Sequence, residues 1–233
     1  MKTTKKVFVI TGASRGIGAA TAKLAVNSGY KVVLASRSLA KIEALAKDLG
    51  GADHAIAVNC DVAQWTSQQK LLKAVLNAFG RVDAVFVNAG LSKGSAILGG
   101  EDSPEEWKEM ILTNVYGVAV TARIFLPELI KTQGHFILTS SVMGRVTRPG
   151  NLYSATKWAV TGMGEAIRQQ VGSSKVRVTL IEPGKVDTPF WDKKPDEPLL
   201  LAEDIARAVI FALEQPEHVS VNEILIRPTQ QVL

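Results

Sequence analysis

The chain is predicted to adopt a doubly wound α/β fold, a seven-stranded parallel sheet with helices on both faces, in one domain over residues 1–233. Short apolar runs alternate with longer helical patterns from end to end. A glycine-rich turn joins the first run to the first helix, and no Pro/Ser/Gly-rich linker or charge block divides the 233 residues. Parallel neighbours need crossover connections that lay helices over both faces, so their strands read as continuous apolar runs.

The first run is residues 7–10, Val-Phe-Val-Ile, followed by a glycine turn and a helix over 19–26 that closes near Gly29. The alternation returns with a strand at 31–35 before a helix at 39–49, 55–58 before 67–79, and 84–87 before 104–130. It repeats with 136–138 before 152–171 and 176–181 before 202–213, and ends on a strand at 224–226. Asp192 to Pro198, a polar proline-bearing stretch, is too short to be more than a loop.

Composition excludes several classes. The net charge of +5 is spread along the chain with no basic run or interleaved aromatics, so nucleic acid is not an expected partner. A single cysteine, Cys60, rules out an internal disulfide and a cysteine metal cluster, no metal is expected, and the thiol reads as a buried strand-end group. Met1 to Lys6 runs straight into the first strand without the apolar region of a signal peptide, and no apolar run approaches about 20 residues. A soluble, cytoplasmic protein with no membrane partner is expected.

A sheet of this kind binds ligands beyond the carboxyl ends of its strands, where strand order reverses. After the first strand comes Thr11-Gly12-Ala13-Ser14-Arg15-Gly16-Ile17-Gly18. Its glycines would let backbone approach a pyrophosphate and the helix pack close, while the helix N-terminus offers free N–H groups. The spacing is G-x-x-x-G-x-G rather than G-x-G-x-x-G. With a strand before and a helix after, it predicts a Rossmann-type dinucleotide site. The second strand ends in Ala35-Ser36-Arg37-Ser38, with no carboxylate to hold a free ribose hydroxyl. Arg37 and Arg15 could both pair with a 2′-phosphate, which predicts NADP(H) over NAD(H).

Tyr153 and Lys157 stand four residues apart on an expected helix, so a phenol and an ammonium share one face. A nearby positive charge favours a phenolate, and the pair reads as a proton-transfer device.

Together with Thr11-Gly12-x-x-x-Gly16-x-Gly18 and Tyr153-x-x-x-Lys157, the chain carries Asp61-Val62 after the third strand and Asn88-Ala89-Gly90 after the fourth. Asn114, Ser140-Ser141 and Pro183-Gly184-x-Val186-x-Thr188 follow in order. In this set the sequence resembles the short-chain dehydrogenase/reductase family over essentially its whole length. The resemblance implies that Asp61 and Val62 contact the adenine, that Asn88 to Gly90 line the cofactor trough, and that 181–188 cradle the nicotinamide with Thr188 near its carboxamide. It implies reversible hydride transfer between nicotinamide and a carbonyl carbon. Tyr153 would be the acid in reduction and the base in oxidation, a serine would hold the same oxygen, and Lys157 would lower the phenol pKa and hold the ribose. Asn114 would hold a water that links Lys157 to solvent.

Two serines compete for the serine role. Counting from Gly134 and from Gly144 gives Ser141, and counting back from Tyr153 gives Ser140. Ser141 is expected, because a one-residue deletion is easier in the polar loop 145–151 than in a buried strand. A non-catalytic NADP(H)-binding sensor or scaffold is the competing class, and a hydrolase is disfavoured because His54, His135 and His218 have no G-x-S-x-G turn to serve. Val142, Met143, Leu152 and Trp191 could form an apolar wall, which suggests a small or medium carbonyl or alcohol substrate. The ending 222–229 looks like that of NADP-dependent members acting on hydroxy acids or small ketones. The long apolar helices 104–130 and 152–171 suggest a homodimer or homotetramer.

Overall fold

The computed structural model describes residues 5–93, 95–99, 101–191 and 195–232. Seven parallel strands form one sheet: β1 (Val7–Thr11), β2 (Lys31–Ser36), β3 (Ala55–Asn59), β4 (Ala84–Val87), β5 (His135–Thr139), β6 (Arg177–Pro183) and β9 (Glu223–Ile226), in the order β3-β2-β1-β4-β5-β6-β9. Strand order reverses between β1 and β4, which opens a crevice above their carboxyl ends. The helices are α1 (Gly16–Asn27), α2 (Leu39–Asp48), α3 (Trp65–Phe79), α4 (Pro104–Ile111), α5 (Gly117–Thr132), α6 (Leu152–Val171) and α7 (Ala202–Glu214). Every expected strand and helix is present, with ends moved by a few residues.

Alternation explains why the strands read as unbroken apolar runs. Val7 and Val9 of β1 enter the core beneath α3, α5 and α6, whereas Phe8 and Ile10 enter the core beneath α1, α2 and α7. Both faces are covered, and all five residues of β1 are buried.

Two features depart from the expected pattern. The segment expected as one regular helix over 104–130 is α4 and α5 joined by a π-helical stretch, Leu112–Tyr116. The loop after β6 carries a two-residue strand, β7 (Val186–Asp187), paired with β8 (Leu200–Leu201), so the lip is a small ribbon and not loop throughout. Positions 192–194 of the expected loop lie outside the described residues. Among the described residues, Pro104–Thr132 is the one helix long and apolar enough by length and composition to cross a bilayer. Its Val118, Phe125 and Leu129 are buried in the core, which is where that apolar character is used.

Candidate active site

A cavity of about 760 Å³ opens over the carboxyl ends of the strands. Its floor at one end is the turn after β1, where Gly12 and Gly16 have φ of 66° and 55°, the left-handed region that glycine enters without strain. A Cβ on Gly12 would lie 2.8 Å from the Ala89 Cα, and one on Gly18 would strike the Gly12 carbonyl oxygen. Asn88 locks the turn to β4: its Nδ2 donates to the carbonyls of Thr11 (3.2 Å) and Gly12 (3.3 Å), while Thr11 Oγ1 accepts from the backbone N–H of Asn88 at 3.0 Å. The backbone thus leaves a cradle that side chains would fill, which fits a pyrophosphate. Gly12, Ser14, Arg15, Gly16 and Ile17 line the cavity. Gly18, expected as a binding residue, is not on the lining; it is buried and lets α1 pack against the turn.

At the end of β2, Ser36 and Arg37 line the cavity with Lys41, in the first turn of α2. Arg37 Nη1 pairs with Glu109 Oε1 at 2.9 Å with both side chains well exposed, so the expected phosphate-binding arginine already has a carboxylate partner. Asp61 and Val62 line the same end, and Asp61 Oδ1 accepts from the Ala63 N–H at 3.0 Å, turning the chain toward α3. Cys60 is buried there and its thiol is pushed up to about 11, first by burial. Asn88, Ala89, Gly90, Pro183, Gly184, Val186 and Thr188 line the middle of the cavity.

The proton-transfer candidates meet at the other end. Asn151 caps α6 by accepting the Ser154 N–H at 2.8 Å, which sets Tyr153 in its first turn and Lys157 one turn later. Lys157 Nζ lies 5.7 Å from the Tyr153 ring centroid and donates to the Thr139 carbonyl at 2.8 Å. Ser141 hydrogen-bonds the Tyr153 phenol, accepts from the Met143 N–H at 3.1 Å and donates to the Pro183 carbonyl at 3.4 Å. Ser140 is turned toward α6, where its Oγ bonds the Lys157 carbonyl (3.2 Å) and Thr161 Oγ1 (2.9 Å). Ser141, and not Ser140, is the serine brought to the phenol.

Burial dominates the electrostatics. It pushes the Tyr153 phenol up to about 12, with the Ser141 hydrogen bond opposing, and pulls Lys157 down to about 8. The expected lowering of the phenol pKa by the ammonium is absent here, since the one opposing cause is the Ser141 hydrogen bond, and the pair rests as neutral phenol and ammonium. Asn114 also differs from expectation. Its side chain is off the cavity lining, donating from Nδ2 to the Leu91 carbonyl (2.8 Å) and Thr156 Oγ1 (3.2 Å) and accepting the Leu91 N–H at 3.0 Å. Val142, Met143 and Trp191 form the expected apolar wall, but Leu152 is not part of it; Phe190 is, with its ring 5.8 Å from that of Tyr153.

A family model described as short chain dehydrogenase matches residues 6–198. The chain belongs to the short-chain dehydrogenase family. An uncharacterized oxidoreductase of Staphylococcus aureus (strain USA300) is 39% identical to this dehydrogenase over 233 residues, covering 97% of this chain and 98% of the relative. Among solved structures, an alcohol dehydrogenase from the archaeon Thermococcus sibiricus complexed with 5-hydroxy-NADP superposes with a TM-score of 0.90 at 36% identity, covering 97% and 98% of the two chains. A 3-ketoacyl-(acyl-carrier-protein) reductase from Brucella melitensis complexed with NADH gives 0.88 at 27% identity, with the same coverage.

Several lining residues of this dehydrogenase escaped the sequence reading, among them Lys41, Arg148, Asn151 and Gln231. Lys41 had a readable signal, since it falls in the first turn of the helix that starts two residues after Arg37. Gln231 had none: the chain returns past β9, and Gln231 Oε1 accepts the Lys185 N–H at 2.8 Å in the space a Cβ on Gly184 would need.

Proposed function

We propose that this oxidoreductase carries out reversible, NADP(H)-dependent hydride transfer with a small or medium carbonyl compound or its alcohol. The observation that carries the proposal is the convergence of Tyr153, Ser141 and Lys157 at one end of a cavity whose other end is the glycine cradle. When bound, the nicotinamide supplies or accepts the hydride. The turn from Gly12 to Gly18 would hold the pyrophosphate, Asp61 and Val62 the adenine, and Asn88 to Gly90 with Pro183, Gly184, Val186 and Thr188 the nicotinamide half.

Tyr153, neutral at rest, gives its proton to the carbonyl oxygen as negative charge builds there, and takes it back in oxidation. Ser141 donates to the same oxygen and holds it against the phenol. The Lys157 ammonium stabilises the phenolate left behind and would bind the ribose hydroxyls. Because both Nδ2 hydrogens of Asn114 are spent on Leu91 and Thr156, a relay water there would donate to an Asn114 oxygen, the second lone pair of Oδ1 or the main-chain carbonyl.

Arg15, Arg37 and Lys41, with no carboxylate at the end of β2, support NADP(H) over NAD(H). A 2′-phosphate would share Arg37 with Glu109 or displace it. We also propose one domain and a homodimer or homotetramer, since Ile111, Tyr116, Ile130 and Trp158 are exposed on the α4–α5 and α6 helices. The test is a carbonyl and alcohol panel followed by NADPH absorbance, with NADH as control and titration of both oxidised cofactors. Turnover with tighter NADP+ binding is expected; tighter NAD+ binding would overturn the cofactor assignment, and a silent panel the reaction.

A further inference from the structure

The cavity carries one cation that stands outside the cofactor end and has no side-chain partner among the described residues. Its lining residues include the cations Arg15, Arg37, Lys41, Arg148, Lys157 and Lys185, against a single carboxylate, Asp61, among the described residues. Arg15, Arg37 and Lys41 belong to the β1 turn and the end of β2. Lys157 is held by the Thr139 carbonyl, and Lys185 by an ion pair with Glu197. Arg148 belongs to the loop after β5, beside Tyr153 in the chain, and it makes no side-chain hydrogen bond or ion pair with another described residue.

The rim that carries Arg148 is built. Asn151 bridges antiparallel to Ala96, the Ile97 N–H donates to the Gly150 carbonyl at 2.8 Å, and the Leu152 N–H donates to the Ser95 carbonyl at 2.8 Å. The loops after β4 and β5 are thereby stitched together. Ser95, Arg148 and Asn151 all line the cavity from this rim. Asn151 spends Oδ1 on the Ser154 N–H and Oγ, which leaves its amide N–H groups without a partner. The positive end of the 20-residue α6 starts at the same point. Phe190 and Trp191 supply apolar surface at this end.

We propose that the substrate is an anionic carbonyl compound, an oxo acid or the matching hydroxy acid, whose carboxylate pairs with Arg148 while its carbonyl oxygen faces Tyr153 and Ser141. A planar guanidinium fork beside an amide N–H matches two carboxylate oxygens, and because Arg148 is exposed a pair of this kind changes affinity by about 2- to 10-fold. The inference rests on the proposed reaction but is read separately from it.

The experiment measures binding of butanoate and butanamide to the NADP+-loaded protein by tryptophan fluorescence, and kcat/KM for acetoacetate and methyl acetoacetate. Butanoate should bind at least about twofold tighter than butanamide. Arg148→Met should erase that preference and Arg148→Lys should keep part of it, and the acid-over-ester ratio should fall in parallel. Equal binding of acid and amide, a preference that survives Arg148→Met, or inorganic phosphate binding as tightly as butanoate would overturn the inference. Carboxylate preference that depends on Arg148 with no turnover of either carbonyl would sustain it and count against the proposed reaction alone.

Discussion

Tyr153 rests as an acid, because burial outweighs the hydrogen bond from Ser141 and holds the phenol near 12. Tyr153→Phe should lower kcat by about 10²–10⁴-fold in either direction, with NADP+ affinity unchanged within about twofold by fluorescence titration. Lys157 sets the pH limit. Its folded pKa is lowered to about 8, so the ammonium is present below that value and is lost as pH rises through it. The pH profile of carbonyl reduction should therefore fall above about pH 8, and a flat profile to pH 10 would count against the role of the charge. The i, i+4 spacing of Tyr153 and Lys157 was legible in sequence because helix geometry alone brings them to one face. The hydrogen bonds of Asn114 and the pairing of Arg37 with Glu109 were not, because the partners are 23 and 42 residues away for Asn114 and 72 for Arg37.

At the scale of elements, β1, its turn and α1 form the most constrained piece. Ala at position 12 would meet both a positive φ and a Cβ 2.8 Å from Ala89. Gly12→Ala should cost more than about 1 kcal/mol in a denaturant titration and weaken NADP+ binding at least tenfold. The start of α4 was also readable, since Ser103, Pro104 and Glu106 form a capping box, with Glu106 N–H to Ser103 Oγ at 3.2 Å and Ser103 N–H to Glu106 Oε2 at 3.0 Å. Strands were legible because burial on both faces leaves continuous apolar runs. The π-helical stretch and the β7–β8 ribbon carried no signal, because a π turn keeps helical propensities and a two-residue strand has too few residues to show a period.

For the molecule as a whole, the site lies over the carboxyl ends of the strands and a buried histidine at the amino end of β5. His135 pairs through Nε2 with Thr179 Oγ1 at 2.7 Å, its Nδ1 has no partner, and burial with the Arg177 charge holds its pKa well below 6.5. The folded chain keeps this ring neutral while the unfolded chain protonates it, so stability falls as pH drops below about 6.5, by up to about 1.4 kcal/mol per pH unit. Denaturant midpoints from pH 7 to 5 should show this slope, and His135→Gln should flatten it. The two cores that share each strand add a rule about length. One residue gained or lost within β1 would exchange Val9 and Ile10 between faces, so surviving changes of length belong outside the strands. The stretch Leu112–Tyr116 is where a helix carries a wider, π-helical turn. Excising one residue there would restore a regular helix and turn Asn114 by about 100° away from Leu91 and Thr156. A lineage that shortened this helix would gain regularity at the cost of its grip on the loop after β4, so the irregular length itself is what selection would have to maintain.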